Sequence, residues 1–133
     1  MPNLSKAEQK LFDLSQFPVF DVATGLTNMH ANHALFIDII KIIIHQEFPT
    51  ETLAYKQAYA QNNWGKIEKL AHKMKGGSIY TGLTRLQYAC QYLEDYYQSN
   101  QTTLLDQLYQ QLMHTIDETQ QELVSWLASQ PSA

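Results

Sequence analysis

The sequence predicts an all-α protein, an antiparallel up-and-down four-helix bundle preceded by one or two short N-terminal helices. Three observations predict it. The five glycines and four prolines fall in clumps or near the ends, leaving long stretches with no breaker. Within those stretches apolar residues recur every three to four positions, and no alternating run bounded by turn residues marks a strand. The 133 residues suit one domain of ordinary size, and 44% apolar residues are enough to build a core.

The elements follow in order. Ser5 to Gln16 reads as a short helix using Leu11, Phe12 and Leu14, interrupted by Pro18. Asp21 is a suitable N-cap for a second short helix through Met29, with His30 to Asn32 as connector. His33 to Phe48, HALFIDIIKIIIHQEF, is the most apolar segment. Its apolar part covers about ten residues and includes Asp38 and Lys41, whereas a membrane span needs roughly 20, so it is expected to be a heavily buried bundle helix. Pro49 is expected to end that helix and Thr50 to cap the next, to about Gln61. Asn63 is the expected N-cap of a helix from Trp64 to about Tyr80, broken near Thr81 and Gly82. Another helix is expected from Leu83 to Gln98. The last, Thr103 to Ala128, carries a seam of Leu105, Leu108, Leu112, Ile116, Thr119, Leu123 and Leu127. Trp64 and Trp126 are expected to plug the ends of the bundle. Residues 1–17 form an N-terminal extension, expected to be helical, residues 18–129 the bundle, and residues 130–133 a flexible tail.

Composition narrows the function classes. Nine basic against 13 acidic residues, a net charge of −4, argue against a nucleic-acid binder held by electrostatics. One cysteine rules out an internal disulfide framework and suits a reducing compartment. No apolar core follows a basic start in MPNLSKAEQKLF, so no signal peptide is expected; the expected location is cytoplasmic, without membrane insertion. Met1 and the lack of sequence for a second domain favour a free-standing protein. Only 17% of residues are charged while 15 are Gln, so neutral amides must solvate much of the exterior.

The segment Ala71 to Gly77, AHKMKGG, concentrates the candidate chemistry. At about 100° per residue, Ile67, Leu70, Ala71, Met74 and Ser78 form the buried stripe. His72 then falls about 140° from Ile67, beside Glu68, Lys75, Gly76 and Ile79, and faces solvent or the bundle edge. A Gly–Gly pair inside a helix costs roughly 1 kcal/mol per glycine relative to Ala, so something must offset it. Two readings stand. Either Gly76 leaves an exposed imidazole open to another protein, with Lys75 supplying charge for an anion such as a phosphoryl group, or Gly76–Gly77 permits close packing of a neighbouring helix and His72 is an ordinary surface residue.

From Leu70 to Glu94 the chain, LAHKMKGGSIYTGLTRLQYACQYLE, resembles the signature of the histidine-containing phosphotransfer (HPt) domain family. The matching positions are His72, Lys75, Gly76, Gly82 ten residues after the histidine, Leu86, Cys90, Leu93 and Glu94. The likeness is greatest to the HPt modules at the C-termini of hybrid sensor kinases. It implies a phosphoryl carrier in a two-component phosphorelay, with His72 taking phosphate from one receiver-domain aspartate and passing it to another. Lys75 would offset charge on the transferring group, Gly76 would leave room for the partner, and Glu94 would bind the second ring nitrogen and set the tautomer. An imidazole with a pKa of about 6.5 is largely neutral at pH 7 and needs little activation. The resemblance also implies no metal or other cofactor of its own, Mg²⁺ coming with the receiver, and no independent kinase activity. The partners implied are receiver domains of response regulators or a hybrid kinase, with Glu68, Ile79 and Tyr80 at the docking face. Ile79 and Tyr80 depart from the small residues often found there, which bears on which partners can dock.

Other constellations carry less. No Glu-x-x-His precedes any of His30, His33, His45, His72 or His114, so a di-metal bundle site is not expected. Cys90, among Leu86, Ala89 and Leu93, reads as a small buried residue. Tyr88, Tyr92 and Tyr96 form a stripe that reads either as packing at the edge of the core or as a docking face beside His72. The rival to phosphotransfer is a helical-bundle interaction module that uses the tyrosine stripe and the exposed histidine face without carrying phosphate.

Overall fold

In the computed structural model, which describes residues 3–131, side-chain caps set the starts of four helices. Ser5 and Glu8 form a reciprocal capping box at α1 (Lys6–Lys10). Asp21 accepts from the Thr24 amide at α2 (Val22–Asn28), Asn32 from that of Leu35 at α3 (His33–Ile42), and Asn63 from that of Lys66 at α5 (Trp64–Thr81). The remaining helices are α4 (Phe48–Ala60), α6 (Thr84–Gln98) and α7 (Leu105–Ala128). Among the described residues there is no strand.

Two boundaries differ from those the sequence predicts. Helix α1 stops at Lys10, well before Pro18, because Asp13 accepts from both the amide and the hydroxyl of Ser15, 3.3 and 2.6 Å away. That side-chain turn competes with continued helix. More consequentially, Pro49 does not end a helix and Thr50 caps nothing. Residues Ile43–Glu47 form a π turn in which the Phe48 amide donates to Ile43, five residues back, and α3, the turn and α4 run on as one helical rod from His33 to Ala60. A proline inside an α-helix loses a donor and drives its ring into the carbonyl four residues earlier. The wider π turn just before Pro49 relieves that conflict, and Pro49 then occupies the start of α4, where a missing N–H costs little. This continuity reduces five predicted long helices to four.

These four pack antiparallel. On α5 and α6 the pairs Glu68–Gln98 and His72–Glu94 step in opposite chain directions. Trp64 packs edge-on against Tyr59 and Tyr109 at one end, and Trp126 against Phe20 and Phe36 at the other, so α7 runs opposite to the rod and the two tryptophans sit at the ends as expected. The seam of α7 is buried from Leu105 to Leu123, with Leu127 half-buried. Helix α3 is less buried than its composition predicts. Phe36, Ile40, Ile43 and Ile44 face the core, while Leu35 and Ile42 stand out in solvent, because the rod lies on the outside of the bundle and has only one covered side. No helix among the described residues is long and apolar enough to cross a membrane.

The segment ahead of α2 is tied to the bundle. The Arg85 amide and Nε donate to the carbonyls of Pro18 and Phe17, each at 2.9 Å, and Phe17 stacks on Tyr88 at 3.8 Å. Gln130 is half-buried, with its amide on the Trp126 carbonyl. Residues 1–2 of the expected extension and 132–133 of the expected tail lie outside the described residues.

Gly82 closes α5 in the left-handed region, at φ 80°, and its carbonyl accepts from the Asp21 amide at 2.7 Å. A Cβ there would sit 2.1 Å from the Asp21 carbonyl oxygen. Gly82→Ala therefore combines backbone strain with a collision against main chain that has no flexible end to yield, and is expected to cost about 2–4 kcal/mol. Urea unfolding at pH 7 measures it; a midpoint equal to wild type would show that α2 does not depend on this close approach.

Candidate functional site

The face of α5 that the 100° rotation assigns to solvent is where His72 lies, its side chain 69% exposed. Ile67, Ala71, Met74 and Ser78 are buried on the opposite face, and Leu70 is half-buried. Glu94 projects from α6 and is almost fully buried, its side chain 4% exposed. One carboxylate oxygen, Oε2, is hydrogen-bonded to His72 Nδ1, and the other, Oε1, accepts from Lys75 Nζ at 2.5 Å. A buried carboxylate needs such partners, since an uncompensated charge out of water is costly. Burial pushes the Glu94 carboxyl up, but hydrogen bonds from Lys75 and His72, together with their charges, outweigh it and hold it below its ordinary value. Glu94 is therefore an anion that accepts, so Nδ1 carries a proton, and in the neutral ring Nε2 keeps the lone pair.

Lys75 departs from the sequence picture. It shares the exposed face only in rotation; its side chain leans across to α6 and is 17% exposed, held by Glu94 rather than pointing past the imidazole. The close-packing reading of the two glycines does not hold. A Cβ on Gly76 or on Gly77 would meet nothing within 4 Å, and both residues are exposed. No neighbouring helix packs there; the glycines keep the surface beside His72 bare. Ile79 and Tyr80 stand exposed one turn further on, at 48% and 51%, and half-buried Glu68 accepts from Gln98 Nε2 at 2.9 Å.

A feature that the sequence did not reveal flanks this face. Between the π turn and α4 on one side and α5 on the other runs a groove of about 500 Å³, lined by Ile39, Ile43, Phe48, Met74, Gly77 and Tyr80 among others. It lies between segments far apart in the chain, and no local pattern in the sequence marks it. Glu51 stands in this groove with its carboxyl raised, chiefly by burial.

The tyrosine stripe is not beside His72. Tyr92 lies two residues before Glu94, about 200° around α6, on the side away from α5. Tyr88 is covered by Phe17, and the buried Tyr96 hydroxyl accepts from the Leu104 amide at 3.0 Å, so the stripe is packing. Cys90 is completely buried, and burial pushes its thiol well above the ordinary range, which leaves it an inert neutral group. Among the described residues no three His, Cys, Asp or Glu side chains gather as a metal site.

A family model described as Hpt domain matches residues 43–122, which include the π turn, α4, α5, α6 and most of α7. No curated protein and no solved structure matches the chain.

The lowered Glu94 carboxyl makes stability depend on pH. The unfolded chain titrates this group near 4.3, so its contribution is fully present above that value and is lost as pH falls through the lower folded value. The difference in unfolding free energy between wild type and Glu94→Gln should accordingly shrink, in the direction of the variant, as pH drops below about 4. A difference that stays constant from neutral to acid pH would mean that Glu94 is not held as an ion by Lys75 and His72.

Proposed function

The chain belongs to the Hpt domain family, and from that premise we propose that His72 is its phosphoacceptor, relaying a phosphoryl group between aspartates of receiver domains in a two-component phosphorelay. The observation that carries the proposal is an exposed imidazole whose Nδ1 is committed to a buried carboxylate while its Nε2 faces a surface kept clear by Gly76 and Gly77. Phosphoryl transfer asks mainly for positioning and for stabilisation of charge on the transferring group. Positioning is the task of Glu94, which fixes both the ring orientation and the tautomer. Stabilisation falls to Lys75, whose ammonium sits at the edge of the site and neutralises Glu94 until phosphate arrives.

On this reading Nε2 attacks the phosphorus of a receiver's aspartyl phosphate, the P–N bond forms, the P–O bond to the aspartate breaks, and the aspartate leaves as a carboxylate. The divalent cation, Mg²⁺, and the acidic residues that hold it belong to the receiver. The chain acts as a carrier in the cytoplasm, with no kinase activity of its own. Exposed Ile79 and Tyr80, the groove beside them and Glu68 form the docking face, and their bulk and apolar character select which receivers fit.

Incubation with a phosphorylated receiver should give an acid-labile, alkali-stable phosphoryl group, and His72→Gln should abolish it. Label retained at the wild-type rate in that variant would remove His72 from the role. A second substitution separates docking from folding. Gly76→Ala meets no atom within the chain and should leave stability equal or raised by about 0.4–1 kcal/mol. The added methyl intrudes on the docked partner, at a cost of about 1–3 kcal/mol, so transfer should slow roughly tenfold or more. Unchanged transfer by Gly76→Ala would show that the bare surface is not where the receiver sits.

A further inference from the structure

The bond between Glu94 and His72 has a consequence for the second half of the relay, when phosphate leaves. This inference rests on the phosphocarrier reading above and concerns the same site. Once Nε2 carries phosphate, onward transfer breaks the P–N bond, the electron pair returns to Nε2, and the new P–O bond forms on the partner's aspartate. If Nδ1 keeps its proton, the leaving group is a neutral imidazole; if that proton has been lost, the leaving group is an imidazolate anion, which departs far less readily. A ring substituted at Nε2 and protonated at Nδ1 is of the imidazolium type, which releases its proton at about pH 6.5, so without help much of the phosphorylated form would be in the unreactive state at neutral pH.

We infer that Glu94 is a positioning residue for phosphoryl release: the buried carboxylate retains the Nδ1 proton on phosphorylated His72 and so keeps the carrier able to discharge above neutral pH. The geometry supports this in three ways. Glu94 is 3% exposed, so water does not compete for the bond. It binds Nδ1 and leaves Nε2 untouched, and it can therefore stay in place through both transfers. Lys75 holds the second oxygen, so the carboxylate is already oriented when phosphate arrives. An opposite charge at hydrogen-bond distance shifts a titration by about 1–3 pH units.

The other groups around the pair do not oppose it. From α5 the charges facing Glu94 are His72 and Lys75. On α6, Cys90 lies one turn before and stays a neutral thiol, while Asp95 points out to solvent, bonded to Gln91. Glu51 of α4 acts on the same Cys90 thiol from the far side. Helix α7, packed behind α6, presents Glu118 to Arg85.

The test is a ³¹P titration of the phosphorylated full-length chain, wild type and Glu94→Gln, beside free Nε2-phosphohistidine. Phosphoramidate loads the ring with release of ammonia and needs no receiver. The expected midpoint for wild type lies about 1–2 pH units above both the variant and the free compound. Transfer to a receiver should fall off with rising pH at the same two midpoints, so the ratio of wild-type to variant rate widens above neutrality. A wild-type midpoint equal to that of the free compound would overturn the inference even if the variant fails to fold. So would a variant that is uniformly slower at every pH with an unshifted midpoint, since that is the mark of a structural role alone. A chain that loads with phosphoramidate and titrates as expected, yet neither accepts from nor donates to any receiver, would instead count against the phosphorelay reading and leave the proton-holding role standing.

Discussion

The carboxylate of Glu94 is nearly out of contact with water and accepts from two side chains of the neighbouring helix. An anion in that position is tolerable only while both donors stay, so α5 and α6 must keep their spacing and register for the charge to remain satisfied. The rest of the site is arranged around this requirement. The ring of His72 cannot turn freely because Nδ1 is engaged, and Lys75 is drawn off the open face into the helix interface. A side chain that is 69% exposed is thus given a defined orientation by one that is almost fully buried.

The helix bears a cost where the surface beside His72 is left bare. Two adjacent glycines in the interior of an eighteen-residue helix each weaken it by roughly 1 kcal/mol, and neither recovers the loss through packing, since no atom approaches where their side chains would be. The remainder of α5 compensates, with a side-chain cap at Asn63, a fully buried stripe and a left-handed Gly82 that locks onto Asp21. Stability is placed on one face of the helix and access on the other.

Much of this was legible from local chemistry. The caps at Asp21 and Asn63 and the break at Gly82 are short-range signals, each decided by residues within one turn. The face carrying His72 follows from rotation about a helix axis, and the eight-position likeness to HPt domains drew attention to Glu94. Pro49 does not terminate the helix, because the local penalty of a proline does not include the option of widening the previous turn. The tyrosine stripe and the two glycines were ambiguous for a related reason. What covers a surface is a property of other segments, here Phe17 over Tyr88 and nothing at all over Gly76.

The sequence by itself determined the helical class, most helix limits, the buried stripe of α5 and the exposure of His72, because these depend on period, caps and breakers that act over a few residues. Tertiary structure alone decided that α3 and α4 are one rod, that a groove lies between that rod and α5, that the glycines face empty space and that Lys75 pairs with Glu94. Those depend on distances between residues far apart in the chain, such as His72 and Glu94, 22 positions away, which no local pattern encodes. The scarcity of charge in the sequence has a structural counterpart: with few ion pairs on its surface, the protein buries one carboxylate where it orients the exposed ring of His72.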